Sequence, residues 1–183
     1  MRTLYFALVH SHFSYGLLAW GNASKAALHR SIILQKRALR IINNANYNGH
    51  TDPLFKASRI LKVNDLYEHQ ALLFMFDFIS HSLPISFADT FKFNRDNPES
   101  RTTRQSDMIF IARCQLQFAR KLPLYTIPEI WNKQSRSNMN IDNVSRFQFK
   151  HRIKNKFLNA YLRNVRCMNK RCLDCFHVHE HVL

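Results

Sequence analysis

The sequence predicts a mainly α chain: a helical bundle, then a small β element, then a basic C-terminal helix. Three observations carry that prediction. Apolar residues recur at helical spacing over 28–42 and again over 149–161, residues 66–80 are apolar almost all round, and only 113–118 alternates with the two-residue period of a strand.

Leu28 to Ile42 places Leu28, Ile32, Leu34, Ala38, Leu39 and Ile42 on one arc, with Arg30, Lys36, Arg37 and Arg40 opposite, the pattern of an amphipathic helix with a basic outer face. Asn43, Asn44, Asn46 and Gly49 supply turn chemistry, so 43–51 reads as a loop. Thr51-Asp52-Pro53 then reads as an N-cap with Pro in the first turn of a short second helix. Asn64-Asp65 followed by Glu68 is expected to cap a helix over Leu66 to Ser80, and its apolar residues all round mark it as buried.

Pro84 to Thr103 is rich in Asn, Asp, Pro, Ser and Thr without a period and reads as a connection. Lobes are therefore expected at 1–83 and 105–166, joined by 84–104, with a Cys/His tail at 167–183. Arg113 to Phe118 alternates polar with apolar, as a half-buried strand does, with Met108 to Ile111 as its continuation or partner. Pro128-Glu129-Ile130-Trp131-Asn132 reads as a helix opening with Pro in its first turn. Ser145 is expected to cap a last helix whose Phe149, Ile153, Phe157, Ala160 and Tyr161 share a stripe.

Composition narrows the function. With 183 residues, 46% of them hydrophobic, the chain has ample material for a core, and only 3 Gly exclude a GxGxxG fingerprint or a Gly-rich phosphate loop. The longest apolar stretches are too short to span a bilayer. Four Cys in a chain this rich in Phe and Leu do not read as a disulfide framework, so an intracellular, reducing compartment, nuclear or cytoplasmic, is the expected setting.

Lys plus Arg number 27 against 12 Asp plus Glu, a formal charge of +15. Residues 1–51 hold six basic side chains and no carboxylate; 52–107 are near neutral; 108–183 hold fourteen basic against four acidic. Two acid-poor stretches around a near-neutral centre point to a phosphate-binding face. Lys150, Arg152, Lys154, Lys156, Arg163 and Arg166 spread around the last helix and are candidates to join it.

Three segments read together carry a resemblance: Tyr5-Phe6-Ala7-Leu8-Val9-His10-Ser11-His12-Phe13-Ser14-Tyr15-Gly16, Ala19-Trp20-Gly21-Asn22 and Leu34-Gln35-Lys36-Arg37-Ala38-Leu39-Arg40-Ile41-Ile42. They resemble the region after the palm in reverse transcriptases of non-LTR (LINE-type, jockey-like) retrotransposons. His50 to Phe55, Arg101 to Phe118, Ile130-Trp131-Asn132 and Phe147 to Lys150 extend the likeness in order, over roughly residues 2–165. Lys133-Gln134 departs from the Leu-Pro type of turn that usually follows Trp-Asn in that family.

The resemblance implies a thumb-like first lobe that grips an RNA or RNA/DNA template-primer duplex through its sugar-phosphate backbone, with Arg30, Lys36, Arg37, Arg40, Lys150, Arg152, Lys154 and Lys156 as the binding residues. Polymerisation in such enzymes needs adjacent aspartates holding two Mg²⁺ ions. The chain has no Asp-Asp pair. Phe87-Ala88-Asp89-Thr90 matches only the first three letters of that box and stands in the wrong order along the family. The expectation is therefore a non-catalytic nucleic-acid-binding fragment of an RNA-directed DNA polymerase that starts beyond the catalytic palm and requires no cofactor. The alternatives are a module that needs a partner, such as the missing palm, offering Leu4 to Tyr15 as its surface, and a decayed remnant without activity.

Cys167, Cys172, Cys175 and His177, with His179 and His181 beyond, offer the soft and borderline ligands that tetrahedral Zn²⁺ takes. Their spacing is more compact than that of the usual structural sites, which leaves an untethered tail as the default.

Overall fold

The computed structural model describes residues 2–96, 105–135 and 144–163. Its architecture is mainly α-helical. A helical run opens the chain, Arg2–Leu4 (α1), a π-helical stretch Tyr5–His10, and Ser11–Ser14 (α2), followed by Leu17–Trp20 (α3). The longer helices are Lys25–Ile42 (α4), Val63–Ile79 (α6), Pro123–Ser135 (α7) and Arg146–Arg163 (α8), with a short Asp52–Ala57 (α5) between α4 and α6.

Local chemistry explains where the helices start and stop. Ser24 caps α4, its hydroxyl accepting the Ala27 N–H at 3.3 Å. Ser145 caps α8, as expected, and Gln148 completes a reciprocal capping box: the Gln148 N–H donates to the Ser145 hydroxyl and the Ser145 N–H to the Gln148 side-chain carbonyl. With so few glycines, α4, α5 and α6 are closed by left-handed Asn44, Arg59 and His81, at φ of 50°, 54° and 52°. The side chain of Arg59 is tied to Asn155 at 2.9 Å, which helps hold this unfavourable backbone in place.

Contacts divide the chain into two compact units, each drawn from distant parts of the sequence rather than split at 84–104. The first holds, among the described residues, 2–17, 23–66 and 152–163. The second holds 18–22, 67–96, 105–135 and 144–151.

In the first unit the organising residue is a buried amide. Gln35, 1% exposed, donates to the Leu61 carbonyl at 2.8 Å and to the Tyr5 hydroxyl at 3.0 Å, and accepts the Val63 N–H at 3.1 Å. It thereby satisfies two backbone groups of the segment that enters α6. Each such group left unpaired inside a protein costs about 1–3 kcal/mol. Tyr161 plays the same part for α8: its hydroxyl accepts the Lys62 N–H at 3.0 Å and donates to Asp65 at 2.5 Å, while its ring meets the Phe55 ring edge-on.

In the second unit α6 is apolar all round and no residue from Ala71 to Ile79 is exposed, as the sequence predicts. Phe76 stacks on Phe149 at 4.5 Å between ring centroids, Trp131 packs on the same Phe149, and Phe74 and Phe78 meet Phe91 edge-on. Asp77 takes a two-pronged bond from Arg146 at 2.6 and 2.8 Å.

Three sequence expectations are corrected. Arg113 to Phe118 forms no strand; the β pairing among the described residues is a single antiparallel bridge between Phe93 and Ile109. The reason lies on both sides of Ile109. The chain before Phe91 turns away, with Thr90 N–H bonded to the Phe87 carbonyl, and the other edge of Ile109 is taken by a side chain: Asn132 donates to its carbonyl at 2.8 Å and accepts its N–H at 3.0 Å. Second, α7 opens at Pro123, and Pro128 lies inside it. Third, the inner stripes shift: Leu34 is 58% exposed although read as inward, and on α8 Leu158 is buried where Ala160 is exposed.

Candidate nucleic-acid interface

Most of the first acid-poor stretch and the described end of the second, 152–163, fall into the same unit, while 108–135 and 144–151 belong to the other. Among its described residues the first unit carries 13 Lys or Arg against two carboxylates, Asp52 and Asp65, whereas the second carries eight against six. Both carboxylates of the first unit are spent internally. Asp52 pairs with Lys62 at 2.9 Å, and Lys62 lies over the Tyr161 ring at 4.5 Å. Asp65 accepts from Tyr161, and burial pushes its carboxyl above the ordinary carboxylate value, against the lowering effects of the Tyr161 bond and Lys62. Burial, then the neighbouring Asp65, pushes the Tyr161 hydroxyl well above its ordinary value.

Helix α4 therefore faces solvent with no competing acid on it. Leu28, Gln35 and Leu39 form its buried line, and Arg30 and Arg37 are exposed with Lys36 half-buried at the flank. Arg30, Lys36 and Arg37 make no ion pair among the described residues. Arg40 is different. Its Nε and one terminal nitrogen both donate to the Gly49 carbonyl, at 3.1 and 3.0 Å, so it closes the 43–51 loop and keeps only part of its five-donor fork for a ligand.

The exposed side of α4 is not purely basic. Arg30, Leu34, Arg37 and Ile41 recur at helical spacing on one stripe, with Leu34 and Ile41 among the most exposed apolar residues of the unit. Sequence reasoning missed this, and it missed Gln35. A signal for the latter existed, since the same wheel sets Gln35 about 20° from Leu28, in the middle of the buried arc.

The α8 candidates divide. Arg152 and Lys156 are exposed and Lys154 half-buried, all three engaged in interactions of their own, and they belong to the first unit; Lys150 is exposed and belongs to the second. Trp131 is buried in the second unit and Asn132 clamps Ile109, so this pair serves the fold.

Among the described residues no group of three His, Cys, Asp or Glu is placed to hold a metal ion, and Asp89 lies exposed after a 3₁₀ turn, Ile85–Phe87. Cys167, Cys172, Cys175 and His177 lie outside the described residues. No helix is long and apolar enough to cross a membrane, among the residues described. No protein-family model, curated protein or solved structure matches the chain.

Proposed function

We propose that the chain is a non-catalytic, backbone-gripping nucleic-acid-binding module, the post-palm thumb and C-terminal part of a non-LTR retrotransposon reverse transcriptase. The observation that supports it best is a unit that joins most of 1–51 to 152–163, carrying 13 Lys or Arg among its described residues while both of its carboxylates there are turned to internal bonds. Phosphates meeting α4 would find Arg30, Lys36 and Arg37 without a competing carboxylate. Contacts of this kind position a duplex without reading its bases, and they release condensed counterions, so affinity falls steeply as salt rises.

The test is binding of a fluorescent RNA/DNA duplex by anisotropy across a salt series. Replacing Arg30, Lys36 and Arg37 by Ala is expected to weaken binding and to reduce the slope of log affinity against log salt by about 3. Arg40 is left intact, because its loss would open the 43–51 loop. An unchanged slope in the triple variant overturns the α4 assignment.

One observation favours a second reading, the partner-dependent module. Leu4 and Leu8, one helical turn apart, are 55% and 64% exposed on the opening helical run. Replacement of both by Gln leaves nucleic-acid binding unchanged under the first reading; under the second it abolishes co-purification with the partner chain.

A further inference from the structure

The segment 111–116 reads as part of a strand, pairs with no other strand among the described residues, and lies in the second unit. Phe110, Ala112, Cys114 and Leu116 alternate with Ile111, Arg113 and Gln115, and the chain enters as β structure at Ile109, where Phe110 N–H still donates to the Lys92 carbonyl at 2.7 Å. Beyond that bond, among the described residues, the N–H groups of 111–116 donate to no backbone carbonyl. Leu116 is 71% exposed and Phe118 77%. An open groove of about 250 Å³ runs beside the segment, lined in part by Phe91, Phe110, Ala112, Leu124 and Tyr125.

A segment with strand alternation, free backbone donors and an apolar groove at its side is an edge that accepts another strand. Charge selects the occupant. Residues 108–128 contain no Asp or Glu, and Arg113, Arg120 and Lys121 are exposed along them, with Lys92 at the groove and Asp89 as the one carboxylate lining it. A second copy of the segment would bring like charges together.

We infer that residues 110–116 receive an extended, acidic segment of a partner protein by strand addition. Its backbone pairs with 111–116, its alternate apolar side chains enter the groove beside Phe110 and Leu124, and its carboxylates meet Arg113 and Lys121. Arg120 has a supporting part, since its Nε already holds the Cys114 carbonyl at 3.0 Å. The inference concerns the second unit and stands apart from the α4 reading.

The full chain is titrated with a fluorescent peptide of alternating Val and Glu, and in parallel with the same peptide N-methylated at alternate residues and with a Val/Lys version. Binding by the Val/Glu peptide, lost at least tenfold on N-methylation and at least tenfold in an Arg113→Glu, Lys121→Glu variant, is the expected result. N-methylation tests the backbone pairing without altering the protein, so the outcome does not hang on how a variant folds. Equal binding of the methylated peptide overturns strand addition. Equal binding of the Val/Lys peptide overturns the charge selection, and displacement of the bound peptide by an RNA duplex reassigns the segment to the nucleic-acid face.

Discussion

Tyr161 concentrates, in one side chain, how a buried polar group is used here. Its hydroxyl is both donor to Asp65 and acceptor from the Lys62 backbone, and its ring carries the Lys62 ammonium on one side. Burial raises the hydroxyls of Tyr5, Tyr67 and Tyr161 above the ordinary tyrosine value of 10.0. The sign follows from proton counting: in the unfolded chain these hydroxyls ionise near their ordinary value, while the folded chain keeps them protonated. Above that value the folded state binds more protons, so stability falls as pH rises, by up to about 1.4 kcal/mol per pH unit for each tyrosine. Urea midpoints measured between about pH 9 and 11 are expected to fall accordingly, and Tyr161→Phe to flatten the fall by its one share. A midpoint that stays level over that range contradicts the burial of these hydroxyls.

At the scale of elements, apolar patterning locates helices well, one-sided where a helix packs by one face and all round where it is buried. The predicted Leu28 to Ile42 appears as Lys25–Ile42, the predicted Leu66 to Ser80 as Val63–Ile79, and Ser145 caps α8 as read. The strand fails for a physical reason. Alternation over 113–118 says which side chains share a side, but a strand exists only where another backbone pairs with it, and no local pattern reports that Asn132 from α7 supplies both bonds to Ile109. For the candidate interface, Arg30, Lys36, Arg37 and Arg40 are legible as basic positions, whereas the diversion of Arg40 to Gly49 depends on how the 43–51 loop folds back. The Asn132 clamp is testable. Ile109 is 1% exposed, so Asn132→Ala strands a buried N–H and a buried carbonyl together. A loss of about 2–4 kcal/mol is expected in urea unfolding. A loss below about 0.5 kcal/mol shows that Ile109 finds other partners.

At the scale of the whole molecule, +15 of formal charge sets two salt effects against each other. With 13 basic side chains against two carboxylates in the described part of the first unit, and both carboxylates held in internal bonds, positive charge repels itself across that unit. Added salt screens this repulsion over a Debye length that shrinks from roughly 14 Å at 0.05 M to about 4 Å at 0.5 M. The melting temperature of the free chain is therefore expected to rise over that range. Affinity for a duplex is expected to fall over the same range, because salt competes with the counterion release that drives binding. A nucleic acid, by neutralising the same charges, raises the melting temperature most at low salt and least at high salt. The paired measurement is a set of thermal melts with and without duplex at four salt concentrations. Converging curves are the expected outcome. A duplex-induced shift independent of salt would mean that base or sugar contacts, rather than phosphates, carry the binding.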